Sequence, residues 1–277
     1  MDRRRAASSA KRASPPNYAM PEGMEVTEDC LLNGRVRLLQ PRRGHRAGSD
    51  AVLLAAAVAA HDGETVIDLG AGSGAVGLMI AAASFAAEIV FVERDAALVE
   101  LCQRNIAQNG LQARARVVET DILVPARERY KSGLIAGGAD IVATNPPFLE
   151  AGRSRPSPDP GRAAAHQLPD GGLEAWIGAS ADLLKPRGRL VLIHRADRLS
   201  ECLRNLERGF GVIVVKAVHP RADEPAIRIL VAAVKGSHAP LRMAPPLVLH
   251  GPDGRFTPEA EAIHRGEAPL QMQSGRP

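Results

Sequence analysis

The sequence has few cysteines and no long apolar run. Its 277 residues include only Cys30, Cys102 and Cys202, which are far apart and lack the spacing of metal ligands, so we expect a reducing compartment and no metal site. The most apolar stretch, residues 51–60, is about half as long as a membrane-spanning helix. The first residues carry charges but no apolar signal core. These absences predict a cytoplasmic protein with no membrane partner.

A strong charge of either sign is also lacking. The 35 Lys and Arg residues exceed the 31 Asp and Glu residues by a small margin, and the isoelectric point is about 9.2. This balance permits a nucleic-acid partner but does not establish one. The basic residues of segment 1–20, among Ser, Ala and Pro without apolar periodicity, predict a disordered basic tail. The tail and the arginines of a long loop at 149–169 are candidate contacts for RNA phosphates.

Strands and helices alternate along most of the chain. Asn33-Gly34 between two short apolar runs predicts a β-hairpin, and Ser49 or Asp50 is expected to cap the helix that follows. From residue 64 onward, seven strand-like runs are separated by helical segments. Continuous β-branched runs of this kind predict an α/β fold, a Rossmann-like, doubly wound and mainly parallel seven-stranded sheet with helices on both faces.

One large domain accounts for most of the chain, since a length of 277 residues with 45% apolar content suits a single core. The predicted domain spans 21–240, with the hairpin and first helix at 25–61 and the core at 62–236. A C-terminal extension at 241–277 includes a short helix that begins at Thr257-Pro258-Glu259. The sequence does not fix the oligomeric state, and we expect a monomer.

A glycine-rich turn, "DLGAGSG" at 68–74, follows the first strand of the alternating series. Glycines let the backbone approach a ligand, and the next helix directs free N–H groups towards it. The stretch 72–77 also fits the dinucleotide-binding fingerprint, so the turn alone does not separate a nicotinamide cofactor from another nucleoside. An oxidoreductase is disfavoured, because neither Tyr18 nor Tyr130 has a lysine four positions later.

Two acidic residues end the next strands. Glu93 can accept hydrogen bonds from both hydroxyls of a ribose, and Asp121 can accept one from an adenine amino group. The carboxyl ends of successive parallel strands lie together, so these residues and the glycine turn predict an adenosine site.

The fourth strand ends in "NPPF", Asn145-Pro146-Pro147-Phe148. Two prolines make a rigid corner, in which the side-chain oxygen of Asn145 and the carbonyl of Pro146 can accept the two hydrogens of one amino group. The ring of Phe148 offers a face for stacking. Such a receptor favours a nitrogen whose lone pair is free to attack, which is catalysis by positioning.

These motifs, "DLGAGSG", "VERD", "TDIL" and "NPPF", resemble the class I S-adenosylmethionine-dependent methyltransferases that modify nitrogen, over residues 45–235. With "HRAGSDAVLLAAAV" they are similar to the bacterial tRNA1(Val) adenine-N6 methyltransferases. The resemblance implies S-adenosylmethionine as cofactor and N6 of an adenine in tRNA, at anticodon-loop position 37, as target. It implies a catalytic group formed by Asn145, Pro146, Pro147 and Phe148. It implies a cofactor site formed by Asp68, Gly70, Ala71, Gly72, Gly74, Glu93, Arg94, Asp121, Ile122 and Asn145.

Other amino groups remain open as targets. Enzymes acting on guanine N2 in ribosomal RNA also carry "NPPF", whereas enzymes acting on the glutamine of a release factor usually carry "NPPY" and have an N-terminal helical domain. About 45 residues precede the predicted core helices, which leaves no room for that domain. The alternative outside catalysis is an RNA-binding protein with a vestigial cofactor site, and the intact motif disfavours it.

Overall fold

The computed structural model describes residues 24–44, 46–147 and 172–272, together with the backbone of 149–150 and 167–168. The predicted basic tail, most of the predicted loop 149–169, and Phe148 lie outside the described residues.

The described elements follow the predicted alternation of strands and helices. The strands are β1 Val26–Leu31, β2 Val36–Pro41, β3 Thr65–Leu69, β4 Glu88–Glu93, β5 Ala115–Glu119, β6 Ala139–Thr144, β7 Leu149–Glu150, β8 Gln167–Leu168, β9 Leu184–Arg195, β10 Phe210–His219, β11 Arg228–Lys235 and β12 Arg242–Val248. The α-helices are α1 Ser49–Ala57, α2 Ala75–Ala83, α3 Ala96–Gln108, α4 Ala126–Lys131, α5 Gly172–Leu183, α6 Leu199–Leu206 and α7 Pro258–His264.

The main sheet has the strand order β12-β10-β11-β9-β6-β3-β4-β5. Strands β3, β4, β5, β6 and β9 run parallel, and β11 is antiparallel to both of its neighbours. The predicted α/β, mainly parallel architecture is therefore confirmed. Its strand order reverses between β6 and β3, where a doubly wound sheet opens a crevice for ligands.

The predicted count of seven strands is wrong, because β12 adds an eighth. Pro245 and Pro246 lie within this strand. Proline has no N–H to donate to a neighbouring strand, so the sequence does not predict a strand here. The two prolines are tolerated because β12 is the edge strand and its register with β10 shifts between Lys216 and Val218. The ammonium group of buried Lys216 donates to the carbonyl of Pro245 at 2.7 Å, which gives that carbonyl a partner.

Helices cover both faces of the sheet. On one face, α1, α2, α3 and α7 pack their apolar residues into one core cluster, and on the other α5 and α6 pack into a second. Across the described ranges, no helix is both long enough and apolar enough to cross a membrane.

Local signals at the ends of elements gave mixed results. The hairpin of β1 and β2 is confirmed, with Asn33 and Gly34 at φ of 56° and 83° in its turn. The prediction that Ser49 or Asp50 caps α1 is wrong: the N-cap is Gly48, without a side-chain hydrogen bond. Both side chains have tertiary partners instead, His264 for Ser49 at 3.1 Å and Arg228 for Asp50 at 2.8 Å.

The start of α7 follows its prediction. The side chain of Thr257 accepts a hydrogen bond from the backbone N–H of Ala260 at 3.2 Å, and Pro258 is the first helical residue. The helix contacts α1 and β12.

Candidate active site

A cleft of about 310 Å³ lies at the carboxyl ends of β3, β4, β5 and β6, a volume that suits a small-molecule site. The end of each strand and the residues that follow it form one part of the wall: 68 and 70–73 at β3, 92–95 at β4, 120–123 at β5 and 145–147 at β6. The structure thus brings together nine of the ten predicted cofactor residues, since Gly74 does not line the cleft. The described part of the catalytic motif, Asn145, Pro146 and Pro147, lies in the same cleft.

The glycine turn combines open space with close packing. Gly70 and Gly72 have φ of 75° and 57°, in the left-handed region that favours glycine. A β-carbon at Gly70 would lie 2.9 Å from the indole ring of Trp176, whereas one at Gly72 would meet nothing within 4 Å. Gly72 therefore borders the space where a ligand can approach the backbone, and Gly70 allows Trp176 to pack against the turn.

Asp68 lies almost fully buried at the end of β3. Its Oδ2 accepts a hydrogen bond from the backbone N–H of Gly77, in the first turn of α2, at 2.8 Å. Burial raises the pKa of the Asp68 carboxyl to about 7, and the negative charge of Glu93 adds to this effect against the hydrogen bond from Gly77. Asp68 thus anchors α2 beneath the cleft and titrates near neutral pH.

Glu93 holds the glycine turn from the end of β4. Its Oε2 accepts from the backbone N–H of Gly72 at 2.8 Å, and its Oε1 accepts from those of Arg94 and Asp95 at 2.8 and 3.0 Å. A carboxylate has about four acceptor positions, so Glu93 retains capacity for a ligand hydroxyl. The sequence predicted Glu93 at the site but not its bond to the turn.

The wall after β5 carries a solvent-exposed ion pair. Arg94 donates to Asp121 at 3.3 Å, and Asp121 also accepts from the backbone N–H of Leu123 at 2.9 Å. About half of the Arg94 side chain is exposed, and such a pair is worth about 1 kcal/mol or less. A ligand can therefore replace Arg94 as the partner of Asp121 at little cost. Ile122, next in the chain, is buried against the core.

Asn145 has a buried oxygen atom with an unmet hydrogen-bonding need in the described structure. Its Oδ1 atom is buried and has no hydrogen-bond partner in the part of the chain that the structure describes. A buried acceptor without a partner costs about 1–3 kcal/mol, and such atoms are rare enough in folded proteins to need an explanation. A donor group supplied by a ligand in the cleft would satisfy this atom.

Sequence reasoning missed Thr144 and Trp176. The indole N–H of Trp176 donates to the Thr144 hydroxyl at 2.8 Å, and that hydroxyl donates to the carbonyl of Leu69 at 2.8 Å. These bonds join α5 to the ends of β6 and β3 and place the indole in the cleft wall. Trp176 is the only tryptophan of the chain, but nothing in its local sequence shows that it packs against residue 70.

A second missed feature is the wall outside the sheet. It is formed by Met24, by the end of the hairpin and by the start of α1, through residues 41, 43, 44, 47 and 51. The hairpin is therefore part of the site.

This sheet, with a glycine turn after β3, an acid at the end of β4 and an Asn-Pro-Pro corner after β6, defines an S-adenosylmethionine-dependent methyltransferase. The family described as methyltransferase small domain matches residues 46–220, and the chain belongs to this family. The predicted fold class and enzyme class are confirmed.

Individual relatives cover most of the chain. A tRNA1(Val) (adenine(37)-N6)-methyltransferase of Aeromonas hydrophila is 29% identical over 216 residues, which cover 76% of this chain and 85% of the relative. A Porphyromonas gingivalis protein of the same name is 28% identical over 225 residues, with 77% and 85% covered.

A solved structure supports the same family. The protein from Agrobacterium tumefaciens, described as a predicted O-methyltransferase, is 32% identical with a TM-score of 0.68, and the match covers 80% of this chain and 98% of that protein.

Proposed function

We propose that this protein methylates the exocyclic N6 of an adenine in tRNA, at anticodon-loop position 37, with S-adenosylmethionine as methyl donor. The observation that carries the proposal is the buried Oδ1 atom of Asn145, which has no partner among the described residues and lies in a cleft beside the glycine turn. The names of the two tRNA-modifying relatives support adenine as the target.

The chain's contribution to the reaction is to position the nitrogen. The Oδ1 of Asn145 and the backbone carbonyl of Pro146 accept the two hydrogens of the amino group, and Pro147 keeps the corner rigid. The lone pair is then free to point away from both acceptors. S-adenosylmethionine, when bound, would supply an activated methyl group and leave as a neutral thioether. The methylated nitrogen is then positively charged and acidic and releases one proton to water, so no strong base is needed. Phe148, outside the described residues, is proposed to stack on the target base.

The residues around the cleft fit such a cofactor. Open space at Gly72 admits a ligand close to the backbone, and Glu93, which accepts three backbone hydrogen bonds, has about one acceptor position left for a ribose hydroxyl. We propose that Asp68, Gly70, Ala71, Gly72 and Gly74 form the methionine end of the site, with Gly74 acting through the start of α2. Glu93 and Arg94 are proposed for the ribose, and Asp121 and Ile122 for the adenine.

The remaining parts of the proposal concern the RNA. The basic tail and the arginines of 149–169 are proposed to contact its phosphates, at a salt-dependent affinity. Since tRNA is the proposed substrate, we also propose a cytoplasmic location. An adenine in an anticodon loop is partly unstacked, so moving it into the cleft costs a few kcal/mol at most.

The test is methyl transfer from labelled S-adenosylmethionine to unmodified bacterial tRNA, followed by mass spectrometry of the nucleosides. The expected product is N6-methyladenosine. Label that appears only in guanine N2, in a release factor or on a hydroxyl oxygen would contradict the target, and the absence of transfer to any of them would favour the vestigial alternative.

Asn145→Ala tests the mechanism in the same assay. We expect methyl transfer to fall by roughly 100-fold or more, with little change in the dissociation constant of the cofactor. Because Oδ1 has no partner among the described residues, the melting temperature should stay the same or rise. Asn145→Asp, which keeps an acceptor oxygen, is the matched control and should retain more activity. Transfer by Asn145→Ala at the wild-type rate would contradict the role of this residue.

A further inference from the structure

We propose that Arg43 binds an anionic group at the cleft: a phosphodiester of the RNA substrate or the carboxylate of the methyl donor. The inference rests on the proposed function and adds a binding residue to it. Arg43 lies in the segment between the hairpin and α1, lines the cleft, and has an exposed side chain.

The guanidinium group of Arg43 has no hydrogen-bond or ion-pair partner among the described residues. Its neighbours differ in this respect. Arg94, the other arginine of the cleft wall, pairs with Asp121, and Arg46, three positions further along the chain, pairs with Asp29 at 2.7 Å. Arg43 is thus a cation available to a ligand.

The backbone that carries Arg43 is nevertheless anchored on both sides. Arg46 donates to the hydroxyl of Thr27 at 2.7 Å and to the carbonyl of Pro41 at 2.8 Å. On the other side, the backbone N–H of Arg42 donates to the carbonyl of Glu25 at 2.8 Å. A fixed backbone with a free cationic head lowers the entropy cost of binding, since only one side chain needs to be ordered.

Among the described residues of the cleft wall, Arg43 is the positive charge without an ion-pair partner. The walls of the cleft include the acidic side chains of Asp68, Glu93, Asp95 and Asp121, which suit hydroxyl and amino donors and repel anions. Both proposed ligands nevertheless carry an anionic group, and a guanidinium binds a carboxylate or a phosphate through two parallel hydrogen bonds. Arg94 is paired with Asp121 in the free protein, so Arg43 is the cleft arginine that can bind that group without breaking an ion pair.

The test compares Arg43→Gln with Arg42→Gln. Arg42 is the matched control because it is adjacent and exposed, faces Glu25 at 3.6 Å, and does not line the cleft. Two quantities are measured for each variant: the dissociation constant of S-adenosylmethionine by calorimetry without RNA, and the dissociation constant of unmodified tRNA over a series of salt concentrations.

Arg43→Gln is expected to raise the dissociation constant of one of the two ligands by roughly 10-fold, relative to Arg42→Gln. Loss of tRNA affinity, with a salt slope smaller by about 1, identifies a phosphate contact. Loss of cofactor affinity alone identifies the carboxylate. If Arg43→Gln matches Arg42→Gln for both ligands, the proposal is wrong. The cofactor measurement stands even if the wild-type protein fails to methylate tRNA, so failure of the proposed function can be told apart from failure of this inference.

Discussion

At the scale of single residues, the site is built from side chains that the fold holds in unfavourable states. Asn145 has a buried acceptor without a described partner, and Asp68 is a buried carboxyl with one backbone hydrogen bond. Each lowers the stability of the free protein, and such costs are typical of functional sites. Asp68 is the case in which pH measures this cost directly.

Because the pKa of Asp68 is raised in the folded protein, we expect the protein to lose stability as pH rises towards neutrality. The Asp68 carboxyl has a pKa of about 7 in the folded protein, against 3.8 for an aspartate free in solution, so between about pH 4 and 7 the folded state holds a proton that the unfolded state has released. By linkage, the free energy of unfolding falls as pH rises through this window and stays lower above it. Below about pH 4 the carboxyl is protonated in both states, so it adds nothing to the pH dependence of the free energy of unfolding.

Asp68→Asn removes the titration and keeps an oxygen for the N–H of Gly77. From pH 5 to pH 8, the free energy of unfolding should shift in favour of the variant by roughly 2–3 kcal/mol relative to wild type. Urea titrations of the free protein at both pH values measure this difference, and titrating groups elsewhere cancel in the comparison. Parallel pH profiles for the two proteins would contradict the raised pKa.

At the scale of elements, the hairpin is held by amide side chains at the C-terminal end of α3: Asn105 within the helix and Asn109 at its C-cap. Asn105 accepts from the N–H of Leu39 at 2.7 Å and donates to the carbonyls of Leu39 and Ser73 at 2.7 and 2.8 Å. Asn109 exchanges the same two bonds with the backbone of Arg37, at 2.9 and 2.7 Å. These amides take the place of a strand beside β2, and Asn105 also joins the hairpin to the glycine turn.

Asn105→Leu should therefore destabilise the protein more than Asn109→Leu. Asn105 is fully buried, so its loss leaves the N–H and carbonyl of Leu39 and the carbonyl of Ser73 without these bonds, at a cost of roughly 2–4 kcal/mol. Asn109 is only partly buried, and water can replace its bonds, so we expect about 1 kcal/mol or less. Urea unfolding measures both variants, and equal effects would contradict the anchoring role of Asn105.

At this scale, the sequence predicted those features that depend on residues close together along the chain. The hairpin, the alternation of strands and helices, and the cap at Thr257 rest on residues within a few positions of one another. The sequence placed the predicted residues at 68, 70–72, 93–94, 121–122 and 145–147 near one another because parallel strands bring their carboxyl ends to one edge, and these residues line one cleft. The bonds of Trp176 to Thr144 and of Asn105 to Leu39 join residues 32 and 66 positions apart, which no local pattern shows.

At the scale of the whole molecule, residues 241–272 are built into the main core. Strand β12 completes the sheet, and Leu247, Ile263 and Leu270 belong to the same buried cluster as α1 and α2. The backbone N–H of Leu270 donates to the carbonyl of Ala56 in α1 at 2.9 Å. The predicted division at residue 240 is therefore open to a direct test of cooperativity.

We expect one cooperative unfolding transition that includes this segment. A chain ending at residue 240 would expose the edge of β10 and the apolar surface that the cluster covers, so it should be largely unfolded or insoluble. Leu270→Ala gives a measurable result even in that case: removal of a buried leucine side chain should lower the free energy of unfolding by roughly 2–4 kcal/mol.

The fluorescence of Trp176 shows whether the chain unfolds as one cooperative unit or as two. This residue lies in the cleft wall and belongs to the second core cluster, on the opposite face of the sheet from the cluster that contains Leu270. If residues 241–272 unfold with the rest, Leu270→Ala shifts the fluorescence transition and the circular dichroism transition by the same denaturant concentration. A separate extension would leave the Trp176 transition at its wild-type midpoint while the circular dichroism signal shows an earlier step. That outcome would establish a boundary near residue 240, whereas coincident shifts make the hairpin, the cleft and the C-terminal segment parts of a single folding unit.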